Sequence, residues 1–336
     1  MSTAERAAQR LAWARQVLAH PTLQLQPASS DASFRSYWRT TGVAPSRIVM
    51  DAPPDKEDLS PWLSIAERLR AAGLHAPAVH ARDQAAGFLL LTDLGSRTLL
   101  PALDSDTADA LYGQAIDILL RMQSSVSADD LPAYDENRLI AEMELLPTWF
   151  LQRHLGFSIA CEEWDVIESA FRLLVDSALA QPQRFVHRDY HSRNLMLPST
   201  AGGELGIIDF QDAVRGPISY DLVSLLRDAY VEWPEARVAG WMEDYRQRAV
   251  ALGLTGLDAH AFRRAFDLMG LQRHLKVLGI FCRLYYRDGK AGYLGDLDRV
   301  WRYARDIGRR YLDIAPLIDL IERAIDGRDL SRPCAP

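Results

Sequence analysis

The sequence predicts an α+β chain: short strands gather before residue 92, helices dominate after residue 107, and two more strand runs interrupt the helical half. Three observations predict this. Arg47-Ile48-Val49-Met50 and Gly87-Phe88-Leu89-Leu90-Leu91-Thr92 are short apolar runs, the second closed by the turn residues Asp93-Leu94-Gly95. Between Thr107 and Met122, the residues Leu111, Ala115, Ile118, Leu119 and Met122 recur at helical spacing. Phe185-Val186 and Gly206-Ile207-Ile208 are brief apolar runs that each switch abruptly to polar residues, so chemically able side chains are delivered at strand ends.

In chain order, residues 2–20 read as an amphipathic helix with Ser2 and Glu5 spaced for a capping box, stopped by His20-Pro21. The stretch from Pro27 to Arg39 runs from small hydroxyl residues into an alternating strand. Ser60-Pro61 then opens a helix as N-cap and N1 proline, and Gly73 closes it. Residues 136–157 and 161–181 read as two further helices, with His154 a satisfied or exposed histidine. Pro198 to Gly203 forms a hairpin-like connection, and Asp221 reads as the N-cap of the helix that follows it. Near the C-terminus, Leu271, Leu275 and Leu278 form a core stripe; Arg273, His274 and Lys276 lie off it and read as a solvated face.

With 336 residues, 48% of them hydrophobic, the chain has ample material for a sizeable core. A net charge of −7 without a long basic run argues against nucleic-acid binding as the main activity. Cys161, Cys282 and Cys334 are odd in number and lack metal-ligand spacing, which points to a reducing compartment. A charged N-terminus and no long apolar run complete the expectation of a soluble, cytoplasmic protein without a membrane segment.

The chemistry concentrates in Phe185-Val186-His187-Arg188-Asp189-Tyr190-His191-Ser192-Arg193-Asn194 and in Ile208-Asp209-Phe210-Gln211-Asp212. Two carboxylates and an amide oxygen, Asp189, Asn194 and Asp209, suit Mg²⁺, a hard cation that fills its remaining shell with phosphate and water. Phosphoryl transfer needs such oxygens on the metal and a separate carboxylate that accepts the proton of the attacking hydroxyl. Taken singly, Asp189 and Asp209 fit turn residues and His187 a core histidine; as an ordered set, each after a strand, they favour a site.

His187-Arg188-Asp189 with Asn194, followed by Asp209-Phe210, resembles the catalytic loop and metal motif of the protein-kinase-like fold. With His191 two residues after the aspartate, it is similar to the aminoglycoside phosphotransferase and choline kinase family, whose substrates are small molecules. The resemblance implies a bilobal fold: a β-rich nucleotide-binding lobe over 1–92, a hinge at 93–96, and a mainly helical catalytic and substrate-binding lobe over 97–336. It implies ATP and Mg²⁺ as cofactors, Asp189 as the base, Asn194 and Asp209 on the metal, His187 bracing the loop and Asp221 anchoring it. Ser29, Ser30 and Ser33 stand where the fold places a Gly-rich phosphate loop, and Thr92, Asp93 and Leu94 where it meets the adenine edge. His191, Arg193, Arg273, His274 and Lys276 are the candidates for substrate contact, the last three above all if the substrate carries a carboxylate.

The departures from the pattern are informative. No glycine precedes Phe34, and the strand that should carry the phosphate-contacting lysine has Met50 or Asp51 in its place. Arg35, Arg39 or Lys56 could supply the cation, and Glu67 has no strand lysine to pair with. The segments Ser30 to Arg35, Met50-Asp51-Ala52-Pro53-Pro54, Asp209-Phe210-Gln211-Asp212 and Gln272 to Gly279 together resemble the branch that phosphorylates the C1 hydroxyl of N-acetylmuramate and N-acetylglucosamine during cell-wall recycling. The alternatives are an aminoglycoside kinase, which calls for a cluster of carboxylates near the C-terminus that Asp313, Asp319, Glu322 and Asp326 do not exclude, an amino-alcohol kinase, and a nucleotide-binding pseudokinase.

Overall fold

The structure is a computed structural model that describes residues 2–30, 34–198 and 203–333, with the side chains of Ser29 and Ser30 left undescribed. The expected phosphate contacts Ser29, Ser30 and Ser33, and Cys334, therefore lie outside the described side chains. The chain forms two compact units: Met1–Thr107 with Arg193–Asp212, and Ala108–Ser192 with Ala213–Pro336. The first unit thus runs past the 93–96 segment and takes in a second piece of chain.

The first unit begins with helix α1 (Thr3–Val17), where Ser2 and Glu5 form the expected capping box. A five-stranded antiparallel sheet follows: β1 (Gln24–Ser30), β2 (Ser36–Thr41), β3 (Arg47–Asp51), β4 (Val79–Asp83) and β5 (Phe88–Thr92), in the order β1-β2-β3-β5-β4. Alternation along the strands sorts side chains between two faces. Trp38, Val49 and Leu90 pack with Ala14 and Leu11 of α1, which fixes the α1 face of the sheet. Helix α2 (Ser60–Ala71) lies between β3 and β4 in the chain and ends with Gly73 at φ +73°. Ser60 is not its N-cap. Leu59 is the N-cap and offers no side-chain acceptor; Asp58, just before it, accepts the Ser60 N–H at 2.9 Å and so satisfies one orphan donor of the first turn.

The second unit is mainly helical: α3 (Ala108–Ser125), α4 (Glu136–Met143), α5 (Cys161–Leu179), a strand pair β6 (Gln183–Val186) with a later partner, then six more helical elements. The single helix expected over 136–157 is instead α4 followed by a π-helical turn, Leu146–His154. Pro147 lacks the N–H that an α-helix would need there, which explains the break. His154 is buried and satisfied, facing the Leu330 carbonyl at 2.9 Å and the Tyr286 hydroxyl at 3.2 Å.

Between β6 and its partner the chain contributes a hairpin, β7 (Leu195–Met196) and β8 (Gly206–Ile207), to the first unit. Leu99 N–H to the Leu195 carbonyl (2.8 Å), Leu197 N–H to the Arg97 carbonyl (2.9 Å) and Ile207 N–H to the His75 carbonyl (2.9 Å) fasten it there. Strand β9 (Val214–Pro217) returns to pair antiparallel with β6. Helices α6 (Tyr220–Leu226), α7 (Glu235–Ala251), α8 (Ala259–Tyr286), α9 (Leu297–Gly308) and α10 (Ala315–Ile325) complete the unit.

Helix α8 is buried without interruption from Ala265 to Gly279, because α4, the π turn, α5, α6 and α9 pack around it. The solvated face expected for Arg273, His274 and Lys276 does not exist: all three are buried. No helix among the described residues is long and apolar enough to cross a membrane.

Candidate active site

Strand β6 ends at Val186, and the loop His187 to Ser192 that follows is held at almost every residue. Asp221 accepts the His187 N–H at 2.6 Å and the Arg188 N–H at 3.0 Å. It sits in the first turn of α6, which Ser219 precedes, so it is not the N-cap; its carboxylate faces the loop. The Asp189 N–H donates to Nδ1 of His187 at 3.3 Å, and the His187 ring packs edge-on against Tyr190, whose hydroxyl donates to the Ala115 carbonyl at 2.8 Å. Asp228 takes both the Ser192 N–H, at 2.9 Å, and its hydroxyl. Two backbone N–H bonds would favour the ionised form of Asp221, yet burial is the larger effect and pushes its carboxyl up to about 7.

Asp189 itself is half-buried. Burial would raise its pKa, but the charges of Arg273, Lys276, His191 and Arg188 outweigh that, and the carboxyl is held below the usual carboxylate range. The substrate candidates Arg273 and Lys276 are therefore neighbours of Asp189 and supply its field. Arg273 donates to the Arg188 carbonyl at 3.2 Å and to the Tyr220 hydroxyl at 3.1 Å. His274 points elsewhere: its Nε2 faces the Arg227 carbonyl at 3.1 Å and its ring stacks on Tyr303 at 5.0 Å, with burial pushing its pKa down to about 3. A neutral, hydrogen-bonded histidine of this kind is a packing group. His191 lies edge-on to Tyr230, ring centroids 5.5 Å apart.

In the first unit, the residues after the loop bring Asn194 and Asp209 together. Asn194 Nδ2 donates to Asp209 Oδ2 at 3.3 Å, and the Ile208 N–H donates to the Asn194 carbonyl at 3.1 Å, so the β7–β8 hairpin fixes both. Gln211 Nε2 donates to Asp209 Oδ1 at 3.0 Å. Asp209 has φ +65°, a left-handed conformation that costs free energy in a non-glycine residue and is found where surroundings over-determine it. Phe210 beyond it is anchored against Trp62 of α2, ring centroids 5.2 Å apart. Among the described residues no group of three His, Cys, Asp or Glu side chains is placed to hold a metal. A carboxylate and an amide oxygen are what this corner offers.

At the end of β5, Thr92 uses its N–H on the Ala78 carbonyl at 2.9 Å and its hydroxyl on the Ala78 N–H at 3.2 Å, while Leu94 is buried. Asp93 is clamped by Arg39 through bonds of 2.7 and 3.0 Å, by the Ser46 hydroxyl at 2.7 Å and by the Gly95 N–H at 2.9 Å. Burial works against the Asp93 charge, but these donors win and hold its pKa below the ordinary value. Arg39 is thus tied to the strand-end aspartate, and Lys56 lies over the Phe34 ring at 4.6 Å. The ambiguity between Met50 and Asp51 resolves by face. Asp51 is on the α1 side with Val49, paired with Arg6 at 2.7 Å and Arg10 at 2.8 Å, so Met50 faces the opposite side.

The residues that sequence reading missed are Glu142, Tyr134, Tyr220 and Asp228, all of which touch the loop or its partners. Glu142 pairs with Lys276 at 2.8 Å and with Arg188, and accepts the Tyr134 hydroxyl. One signal could have found it: a helix apolar on every face must be buried, and buried cations such as Arg273 and Lys276 require a carboxylate partner.

Comparison with known proteins gives a consistent set of matches. The model of a phosphotransferase enzyme family matches residues 24–263. An N-acetylmuramate/N-acetylglucosamine kinase of Pseudomonas putida is 47% identical over 302 residues, covering 90% of this chain and 88% of the relative. One of the same name from Neisseria meningitidis is 41% identical over 324 residues, covering 95% and 96%. Among solved structures, a choline/ethanolamine kinase family protein from Mesorhizobium loti superposes with a TM-score of 0.65 at 14% identity, over 96% of this chain and all of that one. An ADP-bound aminoglycoside phosphotransferase gives 0.59 at 16% identity, over 89% and 98%. These two likenesses establish the bilobal kinase-like fold.

Proposed function

The chain belongs to the phosphotransferase enzyme family, and from that membership we propose that it is an ATP-dependent kinase of amino sugars. Its acceptor is the anomeric C1 hydroxyl of N-acetylmuramate and N-acetylglucosamine, and its setting is peptidoglycan recycling in the cytoplasm. The observation that carries the substrate is the identity of 41–47%, over about nine-tenths of each chain or more, to kinases named for those two sugars.

Asp189 orients the sugar hydroxyl and takes its proton as the new bond to the γ-phosphorus forms and the bond from that phosphorus to the bridging oxygen breaks, releasing ADP. Held ionised by its cationic neighbours, it is in the accepting state throughout the neutral range. His187 and Asp221 keep the loop in shape, the first through the Asp189 N–H and the second through two loop N–H groups. The Asn194 amide N–H donates to Asp209, which brings an amide group and a carboxylate together as candidate ligands. Hard oxygens of this kind fit Mg²⁺, so these two residues would hold it, with nucleotide phosphates and water completing the shell. Bound there, the ion would neutralise charge on the transferring phosphoryl group.

The test is ADP release with ATP, Mg²⁺ and a panel of N-acetylmuramate, N-acetylglucosamine, an aminoglycoside and choline. The two sugars should be turned over and the others not. Asp189→Ala and Asp209→Ala should each lower kcat by about 10³-fold or more with the fold intact by circular dichroism. Turnover of the aminoglycoside alone would move the assignment to an antibiotic kinase, and wild-type rates in either variant would remove these residues from the chemistry.

A further inference from the structure

Arg188, the residue before Asp189, has φ +77° and is fastened by all three of its polar handles. Its N–H goes to Asp221, its carbonyl accepts from Arg273, and its guanidinium pairs with Glu142. A bulky side chain in the left-handed region persists only where its surroundings over-determine it, and such residues gather where geometry matters for function.

The surroundings form a closed ring. Glu142 bridges Arg188 and Lys276; Lys276 donates to the Tyr220 hydroxyl at 3.1 Å; Arg273 donates to the same hydroxyl at 3.1 Å and back to the Arg188 carbonyl. Tyr134, which donates to the second oxygen of Glu142, packs edge-on against Tyr220 at 5.1 Å. Three helices thus converge on one strained residue: α4 through Glu142, α6 through Tyr220 and Asp221, α8 through Arg273 and Lys276. Glu142 is the hub: its carboxylate pairs with two of the cations beside Asp189, Arg188 and Lys276, and also accepts the Tyr134 hydroxyl. Without it, Arg188 and Lys276 would repel each other within a nearly dry cluster.

We propose that Glu142 is a positioning residue for phosphoryl transfer: by holding Arg188 in its left-handed conformation, it aims the Asp189 carboxylate at the acceptor hydroxyl. The carboxylate of Glu142 is taken up by Arg188, Lys276 and Tyr134, and its effect reaches the reaction through Arg188. The proposal rests on the reading of Asp189 as the group that orients the hydroxyl. A displacement of about 1 Å at such a group is worth on the order of a hundredfold in rate.

The experiment combines steady-state kinetics with hydrogen exchange on the full-length Glu142→Gln and Glu142→Asp variants. Expected for Glu142→Gln is a kcat about ten- to a hundredfold lower, with KM for ATP and for N-acetylglucosamine within about twofold of wild type. Amide exchange over residues 187–192 should quicken by about tenfold while α5 and α9 exchange as before. Glu142→Asp keeps the charge but withdraws it by one methylene, and should fall between the two. If Glu142→Gln does not fold, Glu142→Asp decides by the same measures. A fall in Tm with unchanged kcat and unchanged loop exchange would overturn the proposal, since that is what a purely structural carboxylate would give. If wild type turns over neither sugar, the substrate reading fails by itself; loop exchange then decides, a loosened loop supporting the clamp and a protected one overturning it.

Discussion

Asp51→Asn probes the point at which this chain departs most from the kinase pattern. Asp51 occupies the end of β3, next to the place where a phosphate-contacting lysine is expected, and it carries the opposite charge. The structure accounts for that charge. Asp51 receives Nε and Nη2 of Arg6 at 2.9 and 2.7 Å and Nη1 of Arg10 at 2.8 Å, and the three side chains are 4%, 12% and 8% exposed. Removing one partner of a buried ion pair costs about 3–5 kcal/mol, because the other charge stays behind without compensation. Two features reduce the figure. Asparagine keeps one acceptor oxygen, and the guanidiniums also lie over aromatic rings, Arg6 over Phe88 at 4.4 Å and Arg10 over Trp38 at 3.7 Å.

The net expectation is a loss of about 3 kcal/mol in unfolding free energy, read by urea denaturation with the m-value unchanged. The kcat of the remaining folded enzyme should match wild type, because Asp51 faces α1 and Met50 the other side of the sheet. Asp51→Lys should be worse for stability, with three cations meeting at one spot, and should add nothing to nucleotide affinity. The reasoning is refuted if Asp51→Asn unfolds like wild type yet raises KM for ATP by tenfold or more. That outcome would put Asp51 on the nucleotide side.

Three further outcomes are expected. His274, with its pKa pushed down to about 3 by burial, stays neutral while the unfolded chain takes up a proton below about 6.5, so its contribution is full above pH 6.5 and declines by about 1.4 kcal/mol per unit below it. His274→Gln should therefore flatten the fall in stability between pH 6.5 and 5 relative to wild type; Asp221, raised toward 7, pulls the other way in that window but equally in both proteins. Gly279→Ala would drive a methyl into the Leu145 backbone at the start of the π turn, and a loss of about 3 kcal/mol in denaturant midpoint measurements should follow, since backbone cannot step aside as a side chain can. Finally, kcat should be flat between pH 5.5 and 7 as far as Asp189 is concerned; an acidic limb in that range that Asp189→Glu shifts would contradict its depressed pKa.

Local signals made the skeleton readable. The Ser2 and Glu5 spacing marked the start of α1, Gly73 the end of α2, and the switch from apolar to polar residues marked the strand ends that deliver Asp189 and Asp209. What could not be read were pairings over long separations. Asp51 finds its partners 41 and 45 residues upstream, and Arg188 meets Glu142 across 46 residues. No periodicity encodes such contacts. The misreading of Arg273, His274 and Lys276 has a related cause. Polar residues off an apolar stripe usually face water, but the apolar residues of α8 also include Phe266, Met269 and Val277, which occupy the supposedly wet arc. A helix apolar on every face is buried, and polar groups on it then serve as internal wiring. The π turn was hidden for a different reason, since one proline at position 147 only says that an α-helix must break near it.

The charges around Asp189 bear on what that residue contributes. A base is most effective when its pKa lies near the working pH, and Asp189 is held below even the ordinary carboxylate range by Arg273, Lys276, His191 and Arg188, against the upward push of burial. As a proton acceptor it is therefore weak. That suits phosphoryl transfer through a loose transition state, where the bond to the incoming oxygen is little formed and the hydroxyl has not yet grown acidic. The proton leaves late, when the oxygen already shares charge with phosphorus and even a weak base accepts it. On the proposed reading, what the reaction requires of Asp189 earlier is direction: a fixed acceptor that turns the hydroxyl lone pair toward phosphorus. The surrounding cations keep the carboxylate charged and still, and the bonds of Asp221, Arg273 and Asp228 to the loop hold its backbone. A chain built for strong basicity would have removed those cations; one built for aim retains them and supplies a carboxylate such as Glu142 to bridge and neutralise two of them.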